Sequence, residues 1–293
     1  MVSIGVFDGV HRGHAAIFAR VRERAKELDG ESVIVTFRPH PRLVLGKNSD
    51  DLKYLTTFEE KKNLISQHGI DHLIVINFTK EFAGLPPCTF VKDYLVDRAG
   101  LRHLVFGFDH HFGHKRRGNF ENLKSCAALY GFTIEQMDPV VDGKSRISSS
   151  AIREALSAGD VRLACHLLSY PYSLRGKIIG GKQVGRAIGY PTANIEPDDE
   201  HKLVPADGVY AVKVIIGKQA LRGMMNIGFR PTIDKHGKEK SIEVHIMDFE
   251  GDVYNHPIEI RFIERIREER KFESLEQLKT QLARDRERVL QII

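Results

Sequence analysis

Two histidines lie close together in a glycine-containing segment near the start of the chain. His11 and His14 follow a short apolar stretch, with Gly9 and Gly13 beside them. Imidazole groups can donate hydrogen bonds to phosphate oxygens and stabilise charge that grows on phosphorus. Glycine lets main-chain amides approach a ligand, and a helix that begins near His14 directs free N–H groups toward an anion. The segment predicts a phosphate site, and the alternatives are two surface histidines or half of a metal site.

A second segment combines hydroxyl groups with a guanidinium. Residues 144–150 read KSRISSS, and Arg153 follows one turn into the next predicted helix. Ser148 and Ser149 can cap that helix, and Arg153 can bind a phosphate through two hydrogen bonds. Alone, the segment is equally a serine cap with a solvated arginine. Together with the two histidines it favours a nucleotide site.

The C-terminal half contains a glycine-rich region with neutral oxygen donors. Residues 176–181 read GKIIGG and residues 185–194 read GRAIGYPTAN, which match neither the P-loop nor the dinucleotide fingerprint. Thr192 and Asn194 place two oxygens on one side of an extended chain, which suits a Mg²⁺ ion that phosphates also hold. The alternative is a glycine-rich hairpin with residues 191–194 as its turn.

One carboxylate falls on the polar face of a predicted strand. In residues 241–247, Ile242 and Val244 share one face, while Glu243 and His245 share the other. A carboxylate beside a hydroxyl can orient it and accept its proton. The alternative role for Glu243 is a cross-strand ion pair with Arg261.

The elements that carry these segments differ between the two halves of the chain. In the first half, continuous apolar stretches such as 32–37 (SVIVTF) and 72–77 (HLIVIN) alternate with helical patterns, including a capping box at Thr57 and Glu60. This alternation predicts a parallel sheet covered on both faces, with ligands at the carboxyl ends of its strands. Predicted strands lie at 3–7 and 103–107, and predicted helices lie at 15–28, 90–99 and 120–130.

The second half predicts a different architecture. Its strands alternate polar and apolar residues between Gly, Pro and Asn turns, which indicates an antiparallel sandwich or barrel. A final helix follows, with a capping box at Ser274 and Gln277 and an apolar stripe that includes Leu275, Leu282 and Val289. We place the domain boundary between residues 168 and 176, which gives domains 1–170 and 171–293.

Composition bounds the function classes. The 293 residues are 42% hydrophobic, and 44 Lys and Arg against 39 Asp and Glu give a net charge of +5. No apolar run approaches the ~20 residues of a membrane-spanning helix, and this mild basic excess suits small anions rather than nucleic acid. Met1 leads directly into a predicted strand, which leaves open whether the start is trimmed. We expect a monomer or weak homo-oligomer without membrane or nucleic-acid partners.

The cysteines are three in number and far apart, at positions 88, 126 and 165. Neither a disulfide framework nor a zinc site can be derived from this spacing. We therefore expect three thiols in a reducing compartment, the cytoplasm.

Several motifs in the first half resemble one enzyme family. They are GVFDGVH (5–11), TFRPHP (36–41), FGFD (106–109), the residues Phe112, Gly113 and Gly118, and ISSS (147–150). This set resembles the nucleotidyltransferase superfamily with HxGH and ISSTxxR motifs, and within it the adenylyltransferase module of the bacterial bifunctional FAD synthetases. The chain departs from that pattern at Ser150, where threonine is frequent, and at His110, where phenylalanine is frequent.

The resemblance implies a Rossmann-like nucleotidyltransferase domain. The phosphate of FMN would attack the α-phosphorus of ATP and release pyrophosphate, with Mg²⁺ on the phosphates. His11, His14 and Arg153 would act on the triphosphate, Ser148 and Ser149 would hydrogen-bond it, and Asp109 and the turn 39–41 would face the flavin. The remaining implied nucleotide contacts are Gly5, Phe7, Asp8, Gly9 and Gly13.

The second half resembles the riboflavin kinase module, a six-stranded barrel with a C-terminal helix. The motifs GYPTAN (189–194), GVY (208–210), NIGFRPT (226–232), EVHIMDF (243–249) and IREERKF (266–272) occur in the family's order. The resemblance implies that Thr192 and Asn194 bind Mg²⁺-ATP and that Glu243 is the general base for the riboflavin 5′-hydroxyl. The further implied contacts are Gly176, Lys182, Gly189, Pro191 and Arg267.

The sequence thus predicts an enzyme that makes FMN from riboflavin and then FAD, with ATP consumed at two sites. An RNA-binding protein is the first alternative, with residues 115–117 (KRR) and 261–271 as phosphate contacts, although the chain has no tryptophan to stack on bases. A class I aminoacyl-tRNA synthetase fragment is the second. It would leave the kinase-like motifs unexplained.

Overall fold

The computed structural model describes residues 1–46, 52–108, 120–143, 145–180, 188–230, 239–249, 251 and 253–293. The chain divides into two compact units, Met1–Ser149 and Ser150–Ile293. Of the predicted site residues, Asp109 and Lys182 lie outside the described residues. The motif residues 109–118, 181–187 and 231–232 and Lys144 also lie outside them.

The first unit is built on a five-stranded parallel sheet, as the sequence predicts. Its strand order is β3-β2-β1-β4-β5, so the chain switches direction across the sheet between β1 and β4. In open α/β sheets, ligands bind beyond the carboxyl ends of the strands at such a switch point. The strands are β1 Val2–Ile4, β2 Val33–Arg38, β3 His72–Asn77, β4 His103–Gly107 and β5 Thr133–Met137. A small hairpin follows, β6 Val141–Asp142 with β7 Ser145–Arg146.

Helices cover both faces of this sheet. Phe18 and Val21 of the first helix pack with Ile34 and Val105 on one face, and the opposite face carries a larger apolar cluster that contains Leu104, Leu95 and Leu123. The helices are α1 Arg12–Glu27, α2 Pro41–Leu45, α3 Phe58–Gln67, α4 Lys80–Ala83, α5 Pro87–Phe90 and α6 Phe120–Tyr130. The prediction of a sheet buried on both sides is confirmed.

Two predicted elements of the first unit are wrong in detail. The first strand ends at Ile4 rather than Phe7, because Phe7 takes a left-handed backbone with φ of 50°. The predicted helix 90–99 is instead α5 followed by a π-helical segment, Val91–Val96. Pro87 starts this helix early, since proline fits the first turn, where its missing N–H is not needed.

The expectation of three thiols is also wrong. Cys88 of α5 and Cys126 of α6 form a disulfide with a Cα–Cα distance of 5.5 Å, and both lie among the apolar residues of the larger cluster. The fold brings together helices that are 38 residues apart, so spacing alone could not reveal the pair. Cys165 is free and half-buried, and its burial raises the pKa of the thiol.

The second unit is a closed antiparallel barrel with the predicted six strands. The order around the barrel is β10-β11-β12-β9-β8-β13. The strands are β8 Ser173–Ile179, β9 Ala193–Pro197, β10 Gly208–Ile216, β11 Gln219–Arg230, β12 Glu239–Ile246 and β13 Pro257–Arg267. Ile258, Ile260 and Phe262 of β13 are all buried, which confirms their predicted shared face.

Three helices complete this unit: α7 Ser149–Ser157, α8 Val161–Leu168 and α9 Leu275–Ile292. The Ser274 side chain caps α9 by accepting from the Gln277 amide, but the Gln277 side chain accepts from Glu273 rather than from Ser274. Val289 is buried, whereas Leu275 is 61% exposed at the first residue of the helix. The cap is thus half of the predicted box, and Leu275 does not belong to the apolar stripe. Among the described helices, none is both long and apolar enough to cross a bilayer.

Candidate functional sites

Residues 5–14, which lead from β1 through the N-cap of α1 into its first turn, form a segment that we call the N-terminal turn. Three of its residues have positive φ: Phe7 at 50°, Gly9 at 84° and Val10 at 36°. This conformation is strained for a β-branched or bulky residue and persists only where the surroundings fix it. A Cβ on Gly5 would lie 2.8 Å from the buried Phe7 ring, so a larger residue there would have to displace that ring.

Asp8 ties the N-terminal turn to the segment that precedes α3. It is buried, and its Oδ1 accepts from the main-chain amides of Leu55 at 3.0 Å and Thr56 at 3.1 Å. The Gly9 amide donates to Thr56 Oγ1 at 3.1 Å. The Asp8 carboxylate therefore holds main chain in place, and the ligand contact that the motif implies for Asp8 stays a prediction.

The two histidines form the N-terminal end of α1. His11 is the N-cap, and its Nδ1 accepts from the His14 amide at 3.4 Å. The two rings stack with centroids 3.6 Å apart. A Cβ on Gly13 would lie 3.1 Å from the His11 ring, so the glycine lets that ring fold back over the helix end. The helix begins at Arg12, earlier than predicted, so the two imidazoles lie at the positive end of its dipole, where an anion is favoured.

The serine segment meets the N-terminal turn within the first unit. Ser149 Oγ donates to the Asp8 carbonyl at 2.9 Å, and Ser148 is half-buried immediately before it. Two segments about 140 residues apart in sequence therefore share one location, as their pairing predicted. Arg153 lies four residues beyond Ser149 on α7, in the second unit.

The turn 39–41 caps a helix. His40 is the N-cap of α2, and its Nδ1 accepts from the Arg42 amide at 3.1 Å. Its ring also stacks on Tyr54 at 5.8 Å. These contacts give His40 a structural role, and the predicted flavin contact of this turn stays a prediction.

In the second unit, three polar residues lie side by side on neighbouring strands of the barrel. Glu243 of β12 is directly opposite Asn194 of β9 and Asn226 of β11. Residues directly opposite in a sheet project from the same face, so these three side chains form what we call the barrel row. The row continues through Val209 of β10 to Arg267 of β13.

Glu243 is held by two hydroxyl groups. Its Oε2 accepts from Thr192 Oγ1 at 3.2 Å, and its Oε1 accepts from Ser241 Oγ at 2.8 Å. The structure thus brings together three residues that were predicted from two separate motifs, namely Thr192, Asn194 and Glu243. The alternative of an ion pair with Arg261 is wrong, because Arg261 pairs with Glu259 on its own strand.

Sequence reasoning gave no role in this site to three contributors, although it placed one of them, His245, on the same face as Glu243. Ser241 could have been found, since it is two residues before Glu243 in a strand and therefore shares its face. Asn226 could not, because its place opposite Glu243 depends on the register of β11. His245 is buried and makes a 2.8 Å hydrogen bond from Nδ1 to the Pro191 carbonyl, which fixes the segment that leads into Thr192.

Other predicted nucleotide or flavin contacts have structural partners. Gly176 lies inside β8, where a Cβ would overlap the Glu196 carbonyl of the neighbouring strand. Gly189 has φ of 84° and allows a turn before Tyr190, whose ring lies 5.3 Å from that of His245. Close strand packing and turn geometry therefore account for these two glycines.

Arg267 lies at the end of the barrel row and links β13 to α9 through an ion pair. Its guanidinium pairs with Asp285 at 2.8 Å, and the Asp285 side chain is only 2% exposed. Removal of either partner would leave a buried charge unpaired, which is strongly destabilising. Whether Arg267 also contacts a ligand stays a prediction.

Comparison with known proteins gives matches over both units. The family model for FAD synthetase matches residues 1–151, and the model for riboflavin kinase matches residues 168–293. A protein of Pseudomonas fluorescens named bifunctional riboflavin kinase/FMN adenylyltransferase is 39% identical over 285 residues, which cover 97% of this chain and 90% of the relative. A Bacillus subtilis protein of the same name is 36% identical over 292 residues, which cover 99% and 91%.

A solved structure shares the whole fold. The crystal structure titled Macrolide-efflux Protein from Streptococcus pneumoniae has a TM-score of 0.89 and 35% sequence identity. The match covers 98% of this chain and 92% of that one. The likeness therefore extends over both the parallel sheet and the barrel.

Proposed function

The chain belongs to the family of bifunctional riboflavin kinases/FMN adenylyltransferases, and from that premise we propose how its two sites divide the work. The barrel row phosphorylates riboflavin to FMN, and the N-terminal turn adenylylates FMN to FAD. ATP is the second substrate of both reactions. This division is supported by one observation above all: the N-terminal turn and the barrel row lie in different compact units of the chain. The family match favours this function over both alternatives considered from the sequence.

Adenylyl transfer needs charge neutralisation more than covalent chemistry. An oxygen of the FMN phosphate attacks the α-phosphorus of ATP, the bond to the β-phosphate oxygen breaks, and that electron pair leaves with pyrophosphate. We assign His11 and His14 to donate hydrogen bonds to the triphosphate, together with the main-chain amides at the start of α1. Ser148 and Ser149 supply hydroxyl donors, and Arg153 is assigned to the same anion from its place in the motif.

Within the N-terminal turn, we distinguish the residues that would contact the ligand from those that hold the main chain in position. Gly9 and Gly13 keep their assignments as glycines that let main chain approach phosphate, although the Gly9 amide already donates to Thr56 Oγ1. Gly5 makes room for the Phe7 ring. Asp8 acts by positioning, since its carboxylate accepts from main-chain amides. Asp109 remains assigned to the flavin side on its motif alone.

Phosphorylation of riboflavin is assigned to Glu243. The 5′-hydroxyl oxygen attacks the γ-phosphorus of ATP, its proton passes to the Glu243 carboxylate, and ADP leaves with the electron pair of the broken bond. The hydroxyl groups of Thr192 and Ser241 hold both carboxylate oxygens, so the base is oriented before substrate arrives. In the complex, the substrate hydroxyl would replace one of these donors.

The donor set near Glu243 fits Mg²⁺. Thr192 and Asn194 supply neutral oxygens and Glu243 supplies a carboxylate, and Mg²⁺ prefers oxygen ligands shared with phosphate groups. We assign Thr192 and Asn194 as its protein ligands. Bound there, the ion would neutralise phosphate charge during transfer. Gly189 and Pro191 would shape the adjacent nucleotide loop, and Gly176, Lys182 and Arg267 keep their assignments from the motifs.

The functional domains are proposed as 1–170 and 171–293. The family matches at 1–151 and 168–293 support these bounds. The compact units divide earlier, after Ser149, because α8 packs against β13 and the Ala206 amide donates to the Leu156 carbonyl. Residues 150–170 therefore pack with the barrel although their motif belongs to the nucleotidyltransferase.

The test is incubation of the protein with riboflavin and Mg-ATP, followed by chromatography of the flavins. We expect FMN to appear first and FAD to follow. A matched sample without ATP should leave riboflavin unchanged. Riboflavin that remains unchanged with ATP, together with salt-dependent retention of RNA, would instead support the RNA-binding alternative.

A further inference from the structure

A buried lysine lies directly beneath the N-terminal turn. Lys61 is in the first turn of α3, and only 7% of the residue is exposed. Burial of an ammonium group costs free energy, so buried lysines are uncommon unless they are paired. Neither the motifs nor the proposed chemistry assigns a role to this residue.

The contacts of Lys61 converge on one carbonyl of the turn. Its Nζ donates to the Val6 carbonyl at 3.0 Å and to Thr36 Oγ1 at 3.3 Å. The Thr36 hydroxyl donates to the same Val6 carbonyl at 3.2 Å. Two donors thus fix the peptide group immediately before Phe7, the first residue of the turn with positive φ.

Two opposing effects act on the pKa of Lys61, of which burial is the larger. Burial lowers the pKa of the ammonium to about 8, and the attraction of Asp8 partly opposes that effect. On β2, the guanidinium of Arg38 lies 4.7 Å from the centre of the Phe58 ring, with Lys61 Nζ 6.0 Å from the same ring. On its own helix, the Glu60 carboxylate accepts from the Thr57 amide. Asp8 is therefore the carboxylate that favours the charged form.

Lys61 and Asp8 hold the turn from two sides. Asp8 ties its middle to the Leu55 and Thr56 amides, and Lys61 ties its start to α3. Because α3 also carries the capping box of Thr57 and Glu60, the position of the lysine is set by a well-capped helix end. A strained turn keeps its shape only when such contacts over-determine it.

We propose that Lys61 is a positioning residue for adenylyl transfer, whose ammonium group fixes the Val6 carbonyl and thereby aims His11 and His14 at the triphosphate. The inference rests on the function proposed for the N-terminal turn. Loss of the charge removes the attraction between Lys61 and Asp8 and weakens the hydrogen bond to the Val6 carbonyl. The turn then adopts other backbone conformations, and the imidazoles of His11 and His14 are no longer aligned with the transition state.

If Lys61 only stabilised the fold, its deprotonation would affect activity through the free energy of unfolding, and the pH dependence of that free energy can be worked out. The pKa of Lys61 lies below the ordinary value of 10.5, so the unfolded chain holds this proton to higher pH than the folded chain does. Through this group, the free energy of unfolding rises as the pH goes from about 8 to about 10.5. Deprotonation of Lys61 should therefore reduce adenylyl transfer without reducing the stability of the fold.

The experiment measures kcat/KM for FMN adenylylation from pH 6.5 to 9.5, with riboflavin phosphorylation in the same samples as an internal control. For the wild type we expect adenylylation to decline with a midpoint near pH 8, while the melting temperature does not fall through this group. Lys61→Met should lower adenylylation by roughly 10- to 100-fold at pH 7 and abolish the decline. Lys61→Arg, which keeps its charge at every pH, should retain activity to pH 9.5.

The matched control is Lys62→Met, since the Lys62 side chain is 58% exposed and should leave both reactions unchanged. If Lys61→Met does not fold, Thr36→Val, which removes the shared hydroxyl, tests the same contact and should move the midpoint of the decline. A flat wild-type profile, or normal activity and an unchanged profile in folded Lys61→Met, would overturn the inference. Absence of adenylylation in the wild type at every pH would instead refute the proposed function itself.

Discussion

The two proposed sites, the N-terminal turn and the barrel row, differ in the chemical groups that they would offer to phosphate. The turn presents main-chain amides at the start of α1 beside two stacked imidazoles, and its strained backbone is held from behind by Asp8, Lys61 and Ser149. The barrel row instead presents side-chain oxygens on three hydrogen-bonded strands. A helix end attracts anions through its dipole, whereas the row needs a cation to bring phosphate near a carboxylate.

The two sites should therefore differ in which substitutions lower their activity. The turn depends on backbone shape, so changes behind it should alter activity as much as changes that contact the ligand. The barrel is a closed set of strands whose register fixes the row, so its activity should depend on the functional groups themselves.

The largest effect is expected from Glu243→Gln. Loss of the proton acceptor should lower riboflavin phosphorylation by roughly 100- to 10,000-fold, while adenylylation of supplied FMN stays within about twofold. Both rates are measured on the same sample by flavin chromatography. Glu259→Gln is the matched control, because that carboxylate pairs with Arg175 and Arg261 on the barrel, and equal loss of phosphorylation there would remove the special role of Glu243.

His14→Ala should have the next largest effect. Without the imidazole donor, conversion of FMN to FAD should fall by roughly 100-fold, and FMN should accumulate from riboflavin at the normal rate. His72→Ala changes a half-exposed imidazole that pairs with Glu31 and should leave both rates unchanged. Normal FAD formation by the His14 variant would exclude this residue from the mechanism.

Gly13→Ala tests the shape of the turn with a change that removes no functional group. The new methyl group would lie 3.1 Å from the His11 ring and displace it by a few tenths of an ångström. Adenylylation should fall by roughly tenfold while phosphorylation is unchanged. If adenylylation were unaffected, the stacked position of His11 would not matter for the reaction.

The smallest effect concerns the support of α1. Glu135 of β5 pairs with Arg20 and Arg24 of that helix, and although burial opposes it, these hydrogen bonds hold the pKa of the carboxyl at about 2 against an ordinary 4.5. The folded pKa is depressed, so the stabilisation is complete above about pH 4.5 and is lost as the pH falls toward 2.

The Glu135 side chain is 23% exposed, so screening by solvent leaves about 1–2 kcal/mol of stabilisation. Thermal unfolding of Glu135→Gln should show that deficit at pH 7, and the difference from wild type should shrink between pH 4.5 and 2. A deficit that is independent of pH would assign it to packing rather than to charge.

The sequence was sufficient for those features that depend on local spacing. The capping box at Thr57 and Glu60, the strands 72–77 and 103–107, and the alternation of Ile258, Ile260 and Phe262 are all determined by neighbours along the chain. The motif pairing also correctly brought the serine segment to the N-terminal turn, since Ser149 contacts Asp8.

Features set by long-range packing could not be predicted. The Cys88–Cys126 disulfide depends on how two helices meet, and the position of Asn226 beside Glu243 depends on strand register. Lys61 resembles an ordinary surface lysine in the run EEKK, and only the packing of α3 against the turn buries it. The strands β8, β9 and β11 were not predicted individually, because each contains glycine or proline that weakens its alternation.

The most direct test of two separate sites is complementation between blocked variants. Glu243→Gln alone should leave riboflavin unchanged, and His14→Ala alone should stop at FMN. An equimolar mixture with riboflavin and Mg-ATP should form FAD, since FMN made by one variant reaches the intact turn of the other. If each variant folds and shows its single block, but the mixture forms no FAD beyond that of His14→Ala alone, the account of two independent sites is contradicted.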